Sequence, residues 1–485
     1  MPDASRTSLS RTFARFVTAL EFDSLPPEVV DKIKASVLHA MVTAIVGADT
    51  AHGKASVELA KAEESLSTGA TILVNGTRAT RCGAAFANSK LMHATNQSDS
   101  YRMLIHPGPC NIPAALASAE MGSGSGSERP TGSDFLTALV AGYEVEARIA
   151  GDFIPSTQAR GFRSSPVYGT LGAAVTTGKL LGLTEDQMVT ALALACTFTG
   201  GTTEGASSGG QEMLFHEPNA TRNGIMAALL ARENVRGSET SLEGNAGFYT
   251  AFTGNNRGEL AYSFLGPNET DMAAVTEGLG SRWEVMHVTP KIYQTAGYNC
   301  PVIDLMTQIR SRHEIAPDTI ESITIDMNWL ETLYPSPEFP NPQRTSPGVG
   351  STHYFAAYTC INGHYPPLKP RLDPGWGVGR AGSDAASRES RDVMDLMRRV
   401  YVVGHKDRPA FAPRITIEVA GGSAYQGEYH GDELKWDLAT EVRRISALFP
   451  DMSWPADRLD ALVDTVSVLE KFPDIAQLVQ LCVRP

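Results

Sequence analysis

The stretch VYGTLGAAVTTGKLLGLTEDQMVTALALACTFTGG, residues 167–201, decides the fold class of this chain. Its apolar residues recur at intervals of three and four, which is the spacing of a helix with one buried face. Thr184 is a residue type that often caps the start of a helix, and two glycines close the stretch, so two successive helices are predicted. Both are rich in Ala and Gly, whose small side chains let helices approach closely. We therefore expect a compact helical bundle.

Similar helical segments occupy most of the first 280 or so residues and return at the end of the chain. They include PPEVVDKIKASVLHAMVTAIVG, SDFLTALVAGYEVEARIAG, NATRNGIMAALLARENV and the C-terminal PADRLDALVDTVSVLEKF. Between them, ESITIDMN (321–328) alternates like a strand, and PRITIEVAGGSAYQGEYH (413–430) is typical of two strands around a Gly-Gly turn. Residues 334–350 and 371–390 are predicted loops. The predicted fold is mainly α: a large all-helical domain of residues 1–284 and 446–485, with an inserted smaller α+β lid domain of residues 285–445.

The composition excludes several classes of function. The chain has 485 residues and a net charge of −13, which disfavours a nucleic acid or an anionic membrane as partner. No apolar run reaches the roughly 18 residues of a membrane span. The six cysteines are scattered without metal-binding spacing, so we expect free thiols and no metal site. The N-terminus is rich in Ser and Arg, as in a transit peptide, but TFARFVTAL has helical spacing and no cleavage pattern follows, so a cytoplasmic protein is predicted.

Proton-handling and hydrogen-bonding groups gather in HATNQSDSYRMLIHPGPCNIPAALASAE, residues 93–120. Two histidines, an aspartate, an arginine, a tyrosine, two serines and an asparagine come directly before a Pro-Gly turn and a helix of small residues. Histidine suits proton transfer because its ordinary pKa lies close to neutrality. The stretch is therefore the first candidate for an active site, near the cleft between the two predicted domains.

This stretch, the residue 167–201 helices, ATRNGIMAALLARENVRGSETSLEGNAGF and PKIYQTAGYNCPVIDLM occur in an order that resembles the MmgE/PrpD family. That family includes 2-methylcitrate dehydratase, cis-aconitate decarboxylase and iminodisuccinate epimerase. The resemblance implies a helical domain with an α+β lid, a homodimer, and catalysis without a metal or organic cofactor. It also implies abstraction of a proton beside a carboxylate, followed by loss of water or CO₂ or by reprotonation. Such chemistry needs a base, an acid and groups that stabilise negative charge.

The resemblance and the residue types together select the candidate site residues. The catalytic candidates are His106, Lys291 and Asp99, and Asp99 is alternatively a helix-capping residue. Arg163 is a candidate clamp for a substrate carboxylate because its guanidinium offers a planar fork of donors, although most arginines are solvated surface residues. The remaining substrate-binding candidates are Asn96, Ser100, Tyr101, His216 and Ser351. Asn96 is alternatively a turn residue, and His216 a buried structural histidine.

Several positions depart from the family's pattern. Asn96 and Ser98 stand where the family has aspartates, Arg163 where it has a histidine, and Met213 where it has a lysine. We therefore expect a dehydratase-type lyase that acts on a small-to-medium, pathway-specific carboxylic acid with fewer carboxylates or more apolar bulk than citrate. An epimerase or other isomerase of the same class of substrate is one alternative. The other is a non-catalytic binding protein that has kept the fold.

Overall fold

The computed structural model describes residues 7–122, 129–208, 210–233, 235–333, 348–366 and 390–485. Most of the two predicted loops at 334–350 and 371–390 lies outside these ranges. All six cysteines are described and are free thiols, as the sequence predicted.

Helices dominate the first half of the chain, as predicted. In chain order they are α1 (Leu9–Ala19), α2 (Pro27–Gly47), α3 (Ala51–Glu64), α4 (Arg81–His93), α5 (Gly108–Met121), α6 (Gly132–Ala150), α7 (Ile154–Ala159), α8 (Ser164–Leu180), α9 (Glu185–Phe198), α10 (Glu204–Ser208), α11 (His216–Arg232) and α12 (Phe248–Thr253). Local capping explains where several begin. At the start of α9, the hydroxyl of Thr184 accepts the backbone N–H of Gln187, and Oε1 of Gln187 accepts the backbone N–H of Thr184.

Helix α8 lies at the centre of this bundle, with every residue except Lys179 buried. It packs against α5, α6, α9 and α11. Small residues make this close packing possible. A Cβ on Gly224 of α11 would lie 2.6 Å from both the Cβ of Ala173 and the carbonyl oxygen of Thr170 in α8. The bundle therefore brings the start of α11 close to the start of α8, where Arg163 lies.

The helical part also contains a two-stranded antiparallel sheet that the sequence did not predict, made of β1 (Ser65–Thr71) and β2 (Arg78–Ala79). Strand β1 reads SLSTGAT and buries little more than its last two residues, so it has no apolar alternation to reveal it. The pair packs against α3, α4 and α5. The predicted all-helical domain is therefore helical with one small sheet at its edge.

A second, four-stranded sheet occupies the predicted α+β region. In chain order, the helices and strands of this region are α13 (Asn299–Arg312), β3 (Ile320–Asn328), α14 (Trp329–Leu333), α15 (Thr352–Asn362), α16 (Arg391–Met397), β4 (Val400–His405), β5 (Arg414–Val419) and β6 (Ser423–Glu428). The strand order is β4-β3-β5-β6, with β3 and β4 parallel and the other pairs antiparallel. Strands β3, β5 and β6 were predicted, whereas β4 was not. The mainly α fold with a small α+β part is confirmed.

The chain ends with three helices, α17 (Leu438–Ile445), α18 (Ala456–Ser467) and α19 (Ala476–Leu481). Both α17 and α18 pack on α2, and α19 packs on α18. The backbone N–H of Val74 donates to the carbonyl oxygen of Cys482 over 2.7 Å, which ties the C-terminus to the first half of the chain. Across the described ranges, every helix falls short of the length or hydropathy that a membrane span requires.

Candidate active site

Residues 94–107 of the residue 93–120 stretch form a loop between α4, which ends at His93, and α5, which begins at Gly108. The loop is buried and sharply turned, with Asn96 at a φ of +58°, a left-handed conformation that asparagine tolerates better than most residues. Ser100 exchanges two backbone hydrogen bonds of 2.8 Å with Thr289. This pairing places Lys291, two residues further on, beside the loop.

His106 is buried and held in one orientation. Its Nδ1 atom lies 2.7 Å from the backbone carbonyl oxygen of Asp99, and its backbone N–H donates to the Ser165 hydroxyl over 3.1 Å. Because a carbonyl oxygen only accepts, Nδ1 carries the hydrogen and Nε2 keeps its lone pair. Burial and the positive charge of Lys291 hold the pKa of the His106 imidazole well below its ordinary range. The ring is therefore neutral at neutral pH, and its Nε2 has no hydrogen-bond partner among the described residues.

A second histidine, His93, lies beside His106, with 4.9 Å between the ring centroids. Its Nδ1 is 2.8 Å from the Ser98 hydroxyl, and its Nε2 is 3.4 Å from Nη2 of Arg163. The guanidinium can only donate, so Nε2 of His93 accepts. Burial and the charge of Arg163 lower the pKa of His93 well below its ordinary range. His93 is therefore also neutral, but both of its ring nitrogens are engaged.

Lys291 is a buried cation that contacts the loop. It is 1% exposed, and its Nζ donates to Oδ1 of Asn96 over 3.2 Å. Asn96 in turn donates through Nδ2 to the carbonyl oxygen of Thr295 over 3.3 Å. Burial lowers the pKa of Lys291 to about 8. Its ammonium is hydrogen-bonded to a neutral amide, and no carboxylate among the described residues pairs with it.

Arg163, predicted as a clamp for a substrate carboxylate, already has a carboxylate partner within the chain. Its Nη1 forms a short ion pair with Oε1 of Glu217, the second residue of α11. The Glu217 side chain is fully buried. Burial alone would raise the pKa of Glu217, but the charge of Arg163 and neighbouring polar groups outweigh it and lower that pKa. Both members of the pair are therefore charged.

The Asp99 carboxylate makes the contact of a helix-capping group, which is the second of the two roles that the sequence left open. Oδ1 accepts the backbone N–H of Gly108, the first residue of α5, over 2.8 Å, and Oδ2 accepts the hydroxyl of Tyr143 over 2.9 Å. Gly108 allows this contact, because a Cβ at that position would lie 2.8 Å from the carboxylate. One oxygen is bound at the start of α5 and the other by Tyr143 of α6, so these contacts fix the loop, and the backbone carbonyl of Asp99 orients His106.

The other candidates lie in different surroundings. Tyr101 donates its hydroxyl to Glu284 over 2.7 Å. The Ser100 hydroxyl is buried and has no hydrogen-bond partner among the described residues. Ser351 caps α15 by accepting the backbone N–H of Tyr354. Of these three, Ser100 alone has a hydroxyl available at the loop.

His216 lines a pocket with Thr199, Gly201 and Glu212, and the lining of that pocket includes none of His106, Lys291 or Asn96. Burial lowers the pKa of His216 to about 4, so the imidazole is neutral. Its Nδ1 is buried without a hydrogen-bond partner among the described residues. His216 therefore lines a pocket of its own, next in the chain to Glu217.

Sequence reasoning missed His93, Glu217 and Lys90, another buried cation, on α4. Lys90 lies one helical turn before His93 and donates its Nζ to the carbonyl oxygen of Leu214 over 2.9 Å. The sequence did contain a pattern that indicates Lys90 and His93 lie together, since residues three apart on a helix share a face. No comparable signal existed for Glu217, because its partner Arg163 lies on another helix start. Within the described ranges, no group of three or more His, Cys, Asp or Glu side chains is arranged to hold a metal ion.

Comparisons with known proteins agree with this architecture. The sequence profile of the MmgE/PrpD N-terminal domain matches residues 11–261, which is more than half of the chain. The cis-aconitate decarboxylase-like protein oryM of Aspergillus oryzae is 30% identical over 296 residues, covering 60% of this chain and 59% of that protein. The cis-aconitate decarboxylase of Aspergillus terreus is 28% identical over 313 residues, covering 64% and 61%. The human cis-aconitate decarboxylase is 27% identical over 242 residues, covering half of each chain.

The matched part spans about three fifths of the length of the fungal relatives and half of the human one. The domain match includes the loop with Asn96 and His106, Arg163 and Glu217, and ends before Lys291. On the strength of that match and of the ordered motifs, this chain belongs to the MmgE/PrpD family.

Proposed function

We propose that this protein is a lyase that removes a proton from the carbon beside a carboxylate and then eliminates water. The single observation that carries the proposal is the state of His106: a neutral imidazole whose Nδ1–H is donated to the Asp99 carbonyl, with the Nε2 lone pair free. That is the state a general base needs at the start of a reaction. Lys291, fixed by Asn96, supplies the positive charge that a carboxylate and its enolate require.

The proposed reaction uses these groups in order. Lys291 binds the carboxylate, and Nε2 of His106 takes the proton from the adjacent carbon. The electron pair of that C–H bond becomes the new C=C bond as the neighbouring C–O bond breaks. The leaving hydroxide takes the proton from the His106 imidazolium and departs as water, which returns His106 to its neutral form. Each proton and electron pair is accounted for without a further reactant.

Decarboxylation is the second candidate, since the relatives are named as cis-aconitate decarboxylases or as proteins like them. That reaction releases CO₂ first and then needs an acid to protonate the resulting carbanion. A neutral His106 cannot supply that proton, so Lys291 would have to do so. The protonation state of His106 therefore favours elimination of water as our first choice.

Three further properties belong to the proposal. We expect catalysis without a metal or organic cofactor and a cytoplasmic homodimer, as the family resemblance implies. The substrate is expected to be a pathway-specific acid other than 2-methylcitrate, because the family's acid–base residues are altered at several positions. An epimerase would need a second proton carrier opposite His106, and the engaged nitrogens of His93 make it a poor one.

The experiment that tests the proposal is mass spectrometry of a panel of hydroxy and unsaturated carboxylic acids incubated with the purified full-length chain. Loss or gain of water by one of them supports the proposal. Loss of CO₂ would favour the second candidate. No mass change, with inversion at the carbon beside the carboxylate, would favour the epimerase, and no reaction at all would favour a non-catalytic binding protein.

A further inference from the structure

The buried pair of Arg163 and Glu217 occupies the position where a substrate-binding guanidinium was expected. Arg163 is anchored through its backbone N–H to the carbonyl oxygen of Gly201 over 2.9 Å. Glu217 is fixed by the first turn of α11. The two side chains are 10% and 0% exposed, so solvent screens their attraction little.

Both terminal nitrogens of the Arg163 guanidinium are engaged. Nη1 meets Oε1 of Glu217, and Nη2 lies 3.4 Å from Nε2 of His93. A guanidinium clamps a carboxylate best through two parallel N–H donors. In this chain one of those donors already has a carboxylate, supplied by the protein itself.

The other two buried cations of this region have no carboxylate partner among the described residues. Lys90 donates to a backbone carbonyl, and its Nζ lies 5.7 Å from the centre of the Phe215 ring. Lys291 donates to the amide oxygen of Asn96. Of the two, Lys291 lies beside the loop that carries His106. Among the described residues, Lys291 is therefore a cation without a carboxylate partner beside the loop that carries His106.

We propose that Glu217 is a built-in counter-ion for Arg163 that limits the substrate to a monocarboxylic acid, held by Lys291. This inference rests on the proposed function, because it states how many carboxylates the substrate of that same site carries. A second substrate carboxylate would have to displace Glu217 from Arg163 and would leave the Glu217 charge buried without a partner, which is strongly unfavourable. Glu217 is thus a specificity-determining residue that acts through Arg163.

Binding of two matched four-carbon acids tests the inference without needing turnover. Calorimetric titration would compare butanoate, with one carboxylate, and succinate, with two. The wild-type chain is expected to bind butanoate and to prefer it over succinate. In Glu217→Gln, Arg163 loses its counter-ion, and the preference is expected to move toward succinate by about tenfold or more. The matched control is Glu58→Gln, the same change at an exposed carboxylate of α3, which should leave the ratio unchanged.

Because Glu217→Gln leaves a buried charge unpaired, that variant could lose stability, and a second variant guards against this. Arg163→Met/Glu217→Leu replaces the pair by apolar side chains and is expected to keep the preference for butanoate, since no guanidinium remains. The inference is overturned if the wild type prefers succinate or binds neither acid, if Glu217→Gln folds with an unchanged ratio, or if the double variant prefers succinate. A wild type that binds butanoate but converts no acid would count against the proposed function alone. Elimination of water from a dicarboxylate would overturn this inference alone.

Discussion

Nδ1 of His106 lies 2.7 Å from the backbone carbonyl oxygen of Asp99, and this contact decides which nitrogen of the imidazole can act as a base. The same Asp99 uses its carboxylate to bind the first N–H of α5 and the Tyr143 hydroxyl. One residue therefore sets both the position of the loop and the tautomer of the histidine. This arrangement resembles the way in which a second-layer acceptor orients a catalytic or metal-binding histidine.

The pH dependence of turnover is expected to report Lys291. Burial lowers the pKa of Lys291 to about 8, so its positive charge is lost as the pH rises through that value. The pKa of His106 is far below its ordinary value, so neutralisation of the base causes no change near pH 6.5. We expect kcat/KM to be flat around neutrality and to fall above about pH 8.

Lys291→Arg should remove the fall above about pH 8, because a guanidinium stays charged there. The change in side-chain shape will lower the rate, so the informative quantity is the position of the alkaline limb. Lys471→Arg, the same change at an exposed lysine, is the control. An alkaline limb that stays in place in Lys291→Arg would assign the titration to another group.

Glu146 gives a prediction about stability. This buried residue of α6 accepts Nδ2 of Asn111 over 2.7 Å, and burial raises its pKa to about 8. The folded chain therefore keeps a proton that the unfolded chain releases above its ordinary pKa of 4.5. Stability should fall as the pH rises from there through about 8. Glu146→Gln, which mimics the protonated acid, should raise Tm relative to the wild type at about pH 9 and by a smaller amount at about pH 6.

Glu146→Ala separates this protonation effect from simple loss of a side chain. It leaves Asn111 without one partner and creates a cavity, so it should be less stable than Glu146→Gln by on the order of 2 kcal/mol at either pH. Thermal unfolding of the wild type and both variants at the two pH values makes the comparison. A Glu146→Gln variant that is less stable than the wild type at about pH 9 would mean that Glu146 is ionised in the folded chain.

The C-terminal helix α17 is tied to α2 and to the site loop by His39. Its Nδ1 lies 2.7 Å from Oε1 of Glu441, and its Nε2 lies 2.6 Å from the carbonyl oxygen of Gln97. Burial alone would lower the pKa of His39, but the charge and hydrogen bond of Glu441 outweigh it and raise that pKa. Glu441→Gln should therefore cost about 3 kcal/mol in the free energy of unfolding, because it leaves the histidine without its counter-charge.

The loss in Glu441→Gln should depend on pH. A raised His39 pKa adds stability that is complete below 6.5 and disappears as the pH rises through the folded-state value. The gap in Tm between wild type and variant should thus be larger at about pH 6 than at about pH 9. Glu58→Gln, at an exposed glutamate, serves as the control. A gap that grows with pH would mean that His39 is neutral in the folded chain.

The oligomeric state remains a prediction. The Ala- and Gly-rich helices have small faces suited to close packing, and the family resemblance implies a homodimer. Light scattering at micromolar concentration should give a mass twice that of the 51.9 kDa chain. A monomer under these conditions would rule out a stable homodimer.

Much of the fold was predictable because its helices are long, periodic and capped locally. Thr184 and Gln187 form the capping box that precedes the apolar run of α9. Strand β4 was not predicted, because it buries only Val400 fully and therefore lacks a clear alternation. It is also an edge strand, so its place depends on parallel pairing with β3, which no local pattern in the sequence reveals.

The site was predictable to the extent that one loop carries it. Asn96, Asp99 and His106 lie close in sequence, and the bridge between Ser100 and Thr289 adds Lys291. The partner of Arg163 was not predictable, since Glu217 reaches it only through the packing of α11 against α8. Sequence alone also left both roles open for Asp99, because the direction of its carboxylate depends on the path of the loop.

Solvent deuterium exchange with and without His106 tests the central claim most directly. The wild type and His106→Gln would be incubated in D₂O with the panel of carboxylic acids, and deuterium at the carbon beside the carboxylate would be followed by NMR. We predict exchange and elimination of water for at least one acid with the wild type, and both slowed by about 10²–10⁴-fold in a folded His106→Gln that still binds the acid. Exchange at an undiminished rate in His106→Gln, or its absence from the wild type with every acid, would contradict the account.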